Sequence, residues 1–211
     1  MDRKKAVDFN LYLITDRKLF ASSAEMLDAI EKALQGGLRA VQLREKDMAI
    51  RELLYLAYRM RELTARYRAK LFINDRVDIA LSVEAEGVHL GGMSIPAHAA
   101  QKASGGRLMI GVSAHTMDEA RTAQEDGADF ITLGPVYETP SKMRYGKPIG
   151  IQVLKEAAGT LSVPVFAIGG IKTGRVKEVL QQGAFGIALI SAILNAGDVR
   201  KTTEEFMREL P

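Results

Sequence analysis

The sequence predicts an α/β fold in which parallel strands alternate with helices. Eight short apolar runs recur along the 211 residues, and segments with apolar residues at helical spacing separate them. Such alternation requires a parallel sheet with right-handed crossovers. Eight units of about 25 residues suit a closed (β/α)8 barrel, the TIM barrel, as a single domain over residues 1–211. A flat doubly wound sheet is the alternative, because barrel closure is not visible in a sequence.

The eight predicted strands are apolar runs bounded by polar residues or glycine. They are residues 11–16, 40–44, 71–73, 87–91, 108–113, 130–136, 164–168 and 186–191. The third strand runs directly into Asn74 and Asp75, so an amide and a carboxylate lie together where this strand leaves the sheet.

The predicted helices fill the intervals between these strands. They span residues 24–34, 50–67, 77–83, a segment opened by Pro96, a segment that ends at Asp126, residues 151–158 and 176–181, and an amphipathic segment near Leu210. Thr116 and Glu119 have the spacing of a capping box, and Thr173 is expected to cap the helix at 176–181. Residues 137–148 form the longest predicted loop.

The composition is that of an ordinary globular protein, with 47% hydrophobic and 26% charged residues and a net charge of +3. No block of lysine and arginine of the nucleic-acid-binding kind is present. No apolar run approaches the roughly 18 residues of a membrane span, and we expect no signal peptide. The absence of cysteine excludes disulfides and thiol catalysis and fits a cytoplasmic location. The oligomeric state, including a homo-oligomer, stays open.

Polar side chains follow nearly every predicted strand, although buried parallel strands are normally apolar along their length. In a barrel the C-terminal ends of all strands share one face, where active sites lie. The residues expected to meet there are Asp16, Gln42, Arg44, Lys46, Asn74, Asp75, Ser94, Ser113, His115, Thr139, Ser141, Lys142, Gly170 and Ser191.

The last two strand ends have the character of a phosphate site. Gly169 and Gly170 allow a backbone to approach an anion, and phosphate sites recur after strands seven and eight of such barrels. A tight turn explains the glycines equally well. A metal bound among these residues would have oxygen ligands, and Mg2+ beside phosphates is the natural choice. His89 is expected to be packed inside a strand, whereas His115 lies where it could transfer a proton.

Seven short motifs occur in order and in register. They are Gln-Leu-Arg-Glu-Lys at 42–46, Phe-Ile-Asn-Asp-Arg-Val-Asp at 72–78, Gly-Val-His-Leu-Gly at 87–91, Gly-Val-Ser-Ala-His-Thr at 111–116, Gly-Pro-Val-Tyr-Glu-Thr-Pro-Ser-Lys at 134–142, Ala-Ile-Gly-Gly-Ile at 167–171 and Ile-Ser at 190–191. With these motifs the chain resembles the thiamine phosphate synthase family and its relatives, the TenI-like thiazole tautomerases. The family fold is the (β/α)8 barrel.

The resemblance implies a reaction in which a pyrimidine methyl pyrophosphate loses pyrophosphate and a thiazole phosphate takes the carbon. Its partners are therefore small phosphorylated pyrimidine and thiazole substrates. The positions implied for the pyrimidine pyrophosphate are Gln42, Leu43, Arg44, Glu45, Lys46, Asn74, Ser113 and Lys142, with Lys46, Ser113 and Lys142 in catalytic roles. Those implied for the thiazole phosphate are Thr139, Pro140, Ser141, Gly170, Ile190 and Ser191. Asp75 matches a ligand of Mg2+.

The chain departs from the family pattern after the fourth strand. The family continues as Gly-Gln-x-Asp, whereas this sequence reads Gly91-Gly92-Met93-Ser94, so Ser94 stands where the family has a second carboxylate ligand of Mg2+. The alternative function is a thiazole tautomerase, which needs no metal and would use His115 for proton transfer. A regulatory paralogue that only binds phosphate is the third interpretation.

Overall fold

The computed structural model describes residues 6–139 and 148–211. Its strands form a closed barrel in which each strand pairs in parallel with the next, and the eighth pairs with the first. The strands are β1 Leu11–Ile14, β2 Ala40–Leu43, β3 Lys70–Asn74, β4 Gly87–Leu90, β5 Met109–Ala114, β6 Phe130–Leu133, β7 Val165–Ile168 and β8 Gly186–Leu189. The predicted (β/α)8 barrel is confirmed, and the flat doubly wound sheet is excluded.

Helices connect the strands and surround the barrel. The described α-helices are α1 Ser23–Gln35, α2 Ile50–Arg66, α3 Val77–Ser82, α4 Ala97–Ala103, α5 Met117–Glu125, α6 Gly150–Thr160, α7 Val176–Gln181, α8 Ser191–Leu194 and α9 Val199–Glu209. Among them, none has both the length and the apolar character that a membrane crossing needs.

The boundaries differ from the predicted ones mainly at strand ends. β1, β6 and β8 are each two or more residues shorter than expected, because the last residues of each predicted run already belong to loops or to the next helix. The Thr116 cap of α5 is confirmed, since its hydroxyl accepts from the Glu119 N–H at 3.1 Å, while the Glu119 carboxylate accepts from the His115 N–H, one residue before the cap. The predicted cap of α7 is wrong: Thr173 begins a 3-10 helix, Thr173–Arg175, which leads into α7.

Aromatic rings and glycines fill the interior of the barrel together. Phe72, Phe130 and Phe166 are fully buried and stack edge to face around the barrel axis, with ring centroids 5.4 Å apart for the first two and 5.5 Å for the last two. A Cβ atom on Gly87 would lie 2.5 Å from the Phe72 ring, and one on Gly111 would lie 2.4 Å from the Phe130 ring. The rings therefore occupy space that only glycine on the neighbouring strand leaves open.

The interior of the barrel becomes polar toward the C-terminal ends of β2 to β6. Above the phenylalanine rings, the inward positions of successive strands carry polar groups instead: Gln42, Asn74, His89, Ser113 and Thr132. Side chains of a strand alternate between the two faces of the sheet, so these residues point toward the barrel axis. The barrel thus has an apolar plug with a polar layer over it.

We expect Gly111→Ala to destabilise the barrel by about 1–3 kcal/mol, because the added methyl group has no room beside Phe130. Gly159→Ala is the matched control, since its position in α6 is open and no atom outside the backbone of its own helix lies within 4 Å of the added Cβ. That control should gain about 0.5–1 kcal/mol, as alanine for glycine does in a helix. Urea unfolding of both variants measures the difference, and equal stability of the two would contradict the packing argument.

Candidate active site

The ends of β3 and β4 bring Asn74, Asp75 and Ser94 together. Asp75 has a left-handed backbone with φ 61°, and its N–H donates to the His89 carbonyl oxygen at 2.9 Å. One carboxylate oxygen accepts from the Asn74 amide at 2.7 Å, and the other accepts from the Ser94 hydroxyl. The Gly91 N–H in turn donates to the Ser94 oxygen at 2.7 Å. Residue 94 therefore faces Asp75, as the sequence pattern required.

The oxygen atoms around Asp75 fit an Mg2+ ion that has a single carboxylate ligand. The described residues contain no group of three or more histidines, cysteines, aspartates or glutamates that could hold a metal. Mg2+ is commonly held by only one or two carboxylates, with substrate phosphates and water completing its shell. Asp75 would supply the charged ligand, and the Ser94 hydroxyl, which now contacts it, would supply a neutral oxygen.

The side chains of the predicted substrate motif at the end of β2 do not all face the barrel axis. Leu43 is 1% exposed and packs between the barrel and the helices, so its side chain faces away from the barrel axis. Arg44 is half-buried and Lys46 is exposed at this end. Only the backbone of Leu43 could therefore contact a substrate in the barrel.

Glu45 joins the ends of β1 and β2. Its carboxylate is 6% exposed and accepts from the Thr15 hydroxyl at 2.6 Å and from the Arg17 N–H at 3.2 Å. Burial raises the pKa of this carboxyl, and the bonds from Thr15 and Arg17 oppose that rise. The Arg44 N–H donates to the Thr15 hydroxyl at 2.9 Å, so Glu45 orders the backbone from which Arg44 projects. The sequence interpretation, which put Glu45 among the substrate ligands, missed Thr15 and this supporting role.

A buried polar cluster lies on the barrel axis below the strand ends. The His89 ring is 1% exposed, and its Nε2 lies 2.9 Å from the Ser113 Oγ. The Tyr12 hydroxyl lies 3.4 Å from the His89 Nδ1 and accepts from the Gln42 amide at 3.2 Å. Burial lowers the pKa of His89 to about 3, which keeps the ring neutral at physiological pH. The predicted packed histidine is confirmed. The sequence interpretation missed Tyr12, although its inward position on β1 was visible from strand alternation.

The loop that follows β7 is in close contact with the loop that follows β6. Gly169 and Gly170 have φ values of 97° and 68°, and Cβ atoms there would lie 2.5 Å from Pro135 and 2.7 Å from Tyr137, respectively. The Tyr137 N–H donates to the Gly169 carbonyl oxygen at 3.1 Å. The glycines are therefore required by the turn and by the neighbouring chain, whether or not an anion binds.

Tyr137 anchors the start of the loop after β6. The Arg175 guanidinium lies 4.2 Å from the centre of the Tyr137 ring and donates to the Gly170 carbonyl oxygen at 2.9 Å. The Tyr137 hydroxyl donates to Glu178 at 2.7 Å, and burial together with this carboxylate raises the pKa of Tyr137 to about 12. Arg175 and Glu178 therefore hold the first residues of this loop against the start of α7.

The remaining predicted residues have different positions. Thr139 is half-buried at the end of the described part of the loop, and Pro140, Ser141 and Lys142 lie outside the described residues. Ile190 is half-buried and packs against the barrel interior, and Ser191 is exposed at the first position of α8.

His115 lies exposed after β5, where its ring is held by the backbone. The Nδ1 atom is 2.6 Å from the Gly134 carbonyl oxygen, and the His115 N–H donates to Glu119 at 2.6 Å. A carbonyl oxygen only accepts, so Nδ1 carries the proton in this contact. The Nε2 of a neutral ring is then left as the acceptor.

Comparison with known proteins assigns the chain to a family. A family model described as thiamine monophosphate synthase matches residues 11–193. The chain belongs to the thiamine monophosphate synthase family. A relative from Geobacter sulfurreducens, provisionally named a thiamine-phosphate synthase, is 52% identical over 97% of this chain and 96% of its own. The thiamine-phosphate synthase of Clostridium novyi is 41% identical over 92% of this chain and 95% of its own.

One solved structure is similar to this chain in both fold and sequence. The thiamine phosphate pyrophosphorylase from Pyrococcus furiosus has a TM-score of 0.87 and 39% identity to this chain, with 95% of each chain covered. The barrel fold is therefore shared with that protein over almost the whole chain.

We expect Ser94→Asp to tighten Mg2+ binding at least about tenfold, since a second carboxylate beside Asp75 adds a charged ligand. Titration calorimetry with Mg2+ alone measures the affinity. Ser162→Asp, which adds the same charge at an exposed position after α6, is the control and should leave the affinity unchanged. An unchanged Mg2+ affinity in Ser94→Asp would show that residue 94 does not face the metal.

Proposed function

We propose that the chain is a thiamine-phosphate synthase, a transferase that joins hydroxymethylpyrimidine pyrophosphate to thiazole phosphate. The observation that carries this proposal is family membership over almost the whole barrel, with named synthases 41% identical across more than nine-tenths of this chain. The retained pair Asn74 and Asp75 supports it, because a pyrophosphate substrate brings negative charge that needs a metal or cationic partner.

In the reaction, the bond between the pyrimidine methylene carbon and the pyrophosphate oxygen breaks, and its electron pair leaves with pyrophosphate. The thiazole nitrogen donates its lone pair to that carbon and forms the new carbon–nitrogen bond. No general base is needed for this exchange. The protein has to hold the two substrates in line and to stabilise the charge that grows on the leaving oxygen.

In this proposal, Arg44 and Lys46 supply the positive charge that stabilises the leaving group. Both residues follow β2, on the same side of the barrel mouth as Asn74 and Asp75 at the end of the adjacent β3. After burial, the positive charge of Arg44 also lowers the pKa of His89. We assign Lys46 to the pyrophosphate, with Ser113 beneath it, and Lys142 stays the predicted second cation. Mg2+ held by Asp75 and Ser94 would neutralise pyrophosphate charge when bound.

The thiazole phosphate belongs, in this proposal, at the ends of β7 and β8. Gly170 offers backbone without a side chain, and Ser191 adds an exposed hydroxyl next to Ile190. Thr139 ends the described part of the loop that Tyr137 anchors beside Gly169, and Pro140 and Ser141 stay predicted ligands of this phosphate. Backbone N–H groups and hydroxyls at such turns suit a phosphate group.

The same assignment makes two small phosphorylated molecules the partners of this chain. The cytoplasmic location and the homo-oligomer considered from the sequence stay predictions.

The deciding experiment supplies the pyrimidine pyrophosphate, the thiazole phosphate and Mg2+ and follows thiamine phosphate by chromatography. Asp75→Asn should lower kcat/KM by at least about tenfold, since a direct ligand should matter no less than an outer-shell partner. Asp118→Asn is the matched control, because its side chain is 93% exposed in the first turn of α5. A wild-type protein that forms no product above background at high Mg2+ would overturn the proposal.

One observation favours the tautomerase as the second candidate. The contact between His115 Nδ1 and the Gly134 carbonyl oxygen leaves the Nε2 side of the ring to face a substrate at the strand ends. In that case the chain would isomerise the carboxylated thiazole phosphate without metal, and His115→Ala would abolish the isomerisation. Phosphate binding without either activity would indicate the regulatory paralogue.

A further inference from the structure

The peptide groups of the turn after β7 are held from two neighbouring elements. The Gly169 carbonyl oxygen accepts from the N–H of Tyr137, in the loop after β6, at 3.1 Å. The next carbonyl oxygen, that of Gly170, accepts from the Arg175 guanidinium at 2.9 Å. Both glycines have left-handed backbones, with φ values of 97° and 68°, a conformation that glycine adopts without strain. The protein therefore fixes two successive peptide planes in this turn.

These two bonds also determine where the following N–H groups point. In a planar trans peptide the N–H lies on the opposite side from the C=O. The Gly170 N–H therefore points away from Tyr137, and the Ile171 N–H points away from Arg175. Neither N–H has a hydrogen-bond partner in the part of the chain that the structure describes.

Two adjacent donors without partners indicate a ligand. Ile171 is 3% exposed, and backbone N–H groups buried to this degree are almost always paired. Successive backbone N–H groups at a turn suit an anion. The turn is also the one assigned above to the thiazole phosphate, so the N–H groups of Gly170 and Ile171 are the donors available there for its oxygen atoms.

The Arg175 side chain is itself fixed in place. Its guanidinium carbon lies 4.2 Å from the centre of the Tyr137 ring, which is a cation–π contact. The Tyr137 hydroxyl donates to Glu178 at 2.7 Å, so the ring is tied to α7 at its far end. A planar guanidinium can lie on a ring and donate to a carbonyl oxygen at the same time, whereas a lysine ammonium has no such plane.

Arg175 acts on an anion at this turn through the peptide and not by direct contact. Its guanidinium binds the carbonyl side of the Gly170–Ile171 peptide, and the unpaired N–H lies on the other side. A hydrogen bond from a cation to a carbonyl oxygen also polarises the peptide, which strengthens its N–H as a donor. The same bond therefore orients the donor and improves it.

We propose that Arg175 is a positioning residue for the thiazole phosphate, which orients and polarises the Gly170 peptide so that the N–H groups of Gly170 and Ile171 bind the phosphate. The proposal rests on the proposed function for the identity of the ligand. It adds a residue from the 3-10 helix before α7, outside the strand-end motifs.

The test compares thiazole phosphate with the corresponding thiazole alcohol, which lacks the phosphate, by titration calorimetry. Arg175→Met removes the bond to Gly170 and should weaken binding of thiazole phosphate about tenfold. Binding of the alcohol should stay unchanged, because the alcohol has no group for these N–H donors. In the synthase assay, the KM for thiazole phosphate should rise about tenfold, while kcat and the KM for the pyrimidine pyrophosphate stay unchanged.

Three further variants separate positioning from charge. Arg175→Lys keeps the charge without the planar fork, so it should still bind thiazole phosphate several-fold more weakly than wild type. Tyr137→Leu removes the ring under Arg175 and should weaken binding about threefold. Lys177→Met is the matched control, because it removes a positive charge two residues away, where the side chain is 76% exposed and pairs with Glu209 at 3.7 Å. It should leave both affinities unchanged.

Wild-type affinity for thiazole phosphate in folded Arg175→Met would overturn the proposal. Full recovery in Arg175→Lys would overturn it as well, since charge alone would then be sufficient. An equal loss of affinity for the alcohol would show a general disturbance of the site and would also contradict the proposal. If Arg175→Met does not fold, Arg175→Lys replaces it, and wild-type binding in that variant decides against positioning.

Failure of the proposed function would look different. Wild type would then form no thiamine phosphate, whereas calorimetry would still show whether the phosphate-dependent part of thiazole binding needs Arg175. A wild type that binds the phosphate and the alcohol equally would overturn the positioning proposal itself, because no phosphate would be held at this turn.

Discussion

The contact between aromatic rings and glycines inside the barrel is the constraint on which the rest of the structure depends. Phe72 and Phe130 fill the lower interior only because Gly87 and Gly111 leave them space. Because the rings fill that volume, the polar side chains at the next inward positions rest on a packed apolar layer. A substrate can still reach them from the strand ends. The barrel is therefore a solid body that carries a site on one end.

Above that floor, polar groups are organised in two different ways. On the axis, Tyr12 and His89 are enclosed, and their hydrogen-bonding capacity is used within the protein. At the rim, Asp75 accepts bonds from Asn74 and Ser94, which are side chains that a metal or substrate could displace. A fixed inner layer and an exchangeable outer layer suit a reaction that must hold a ring firmly and release pyrophosphate.

Period, length and turn residues locate all eight strands in the sequence, whereas closure of the sheet into a barrel became visible only in the structure. The motif resemblance drew attention to residues 75 and 94, and the structure shows that their side chains are in contact. Side-chain direction beyond a strand end was not predictable from spacing. Glu45 turns into the interface between β1 and β2 because the Thr15 hydroxyl and the Arg17 N–H donate to its carboxylate there, and neither is near it in sequence.

Leu43 could have been excluded by strand alternation, which places it outward beside Gln42. The role of Tyr12 was hidden because a single hydroxyl does not interrupt an apolar run, and the assignments of Pro140, Ser141 and Lys142 fall beyond the described residues.

Gly111 has a consequence for how this protein could change during evolution. Its missing side chain makes room for Phe130 on one side and for the His89 imidazole on the other. A larger residue at this position would have to be accepted by both neighbours together, one in the apolar floor and one in the polar layer. The polar layer therefore cannot change independently of the apolar core below it, and related sequences that differ at residue 111 should differ at 89 and 130 as well.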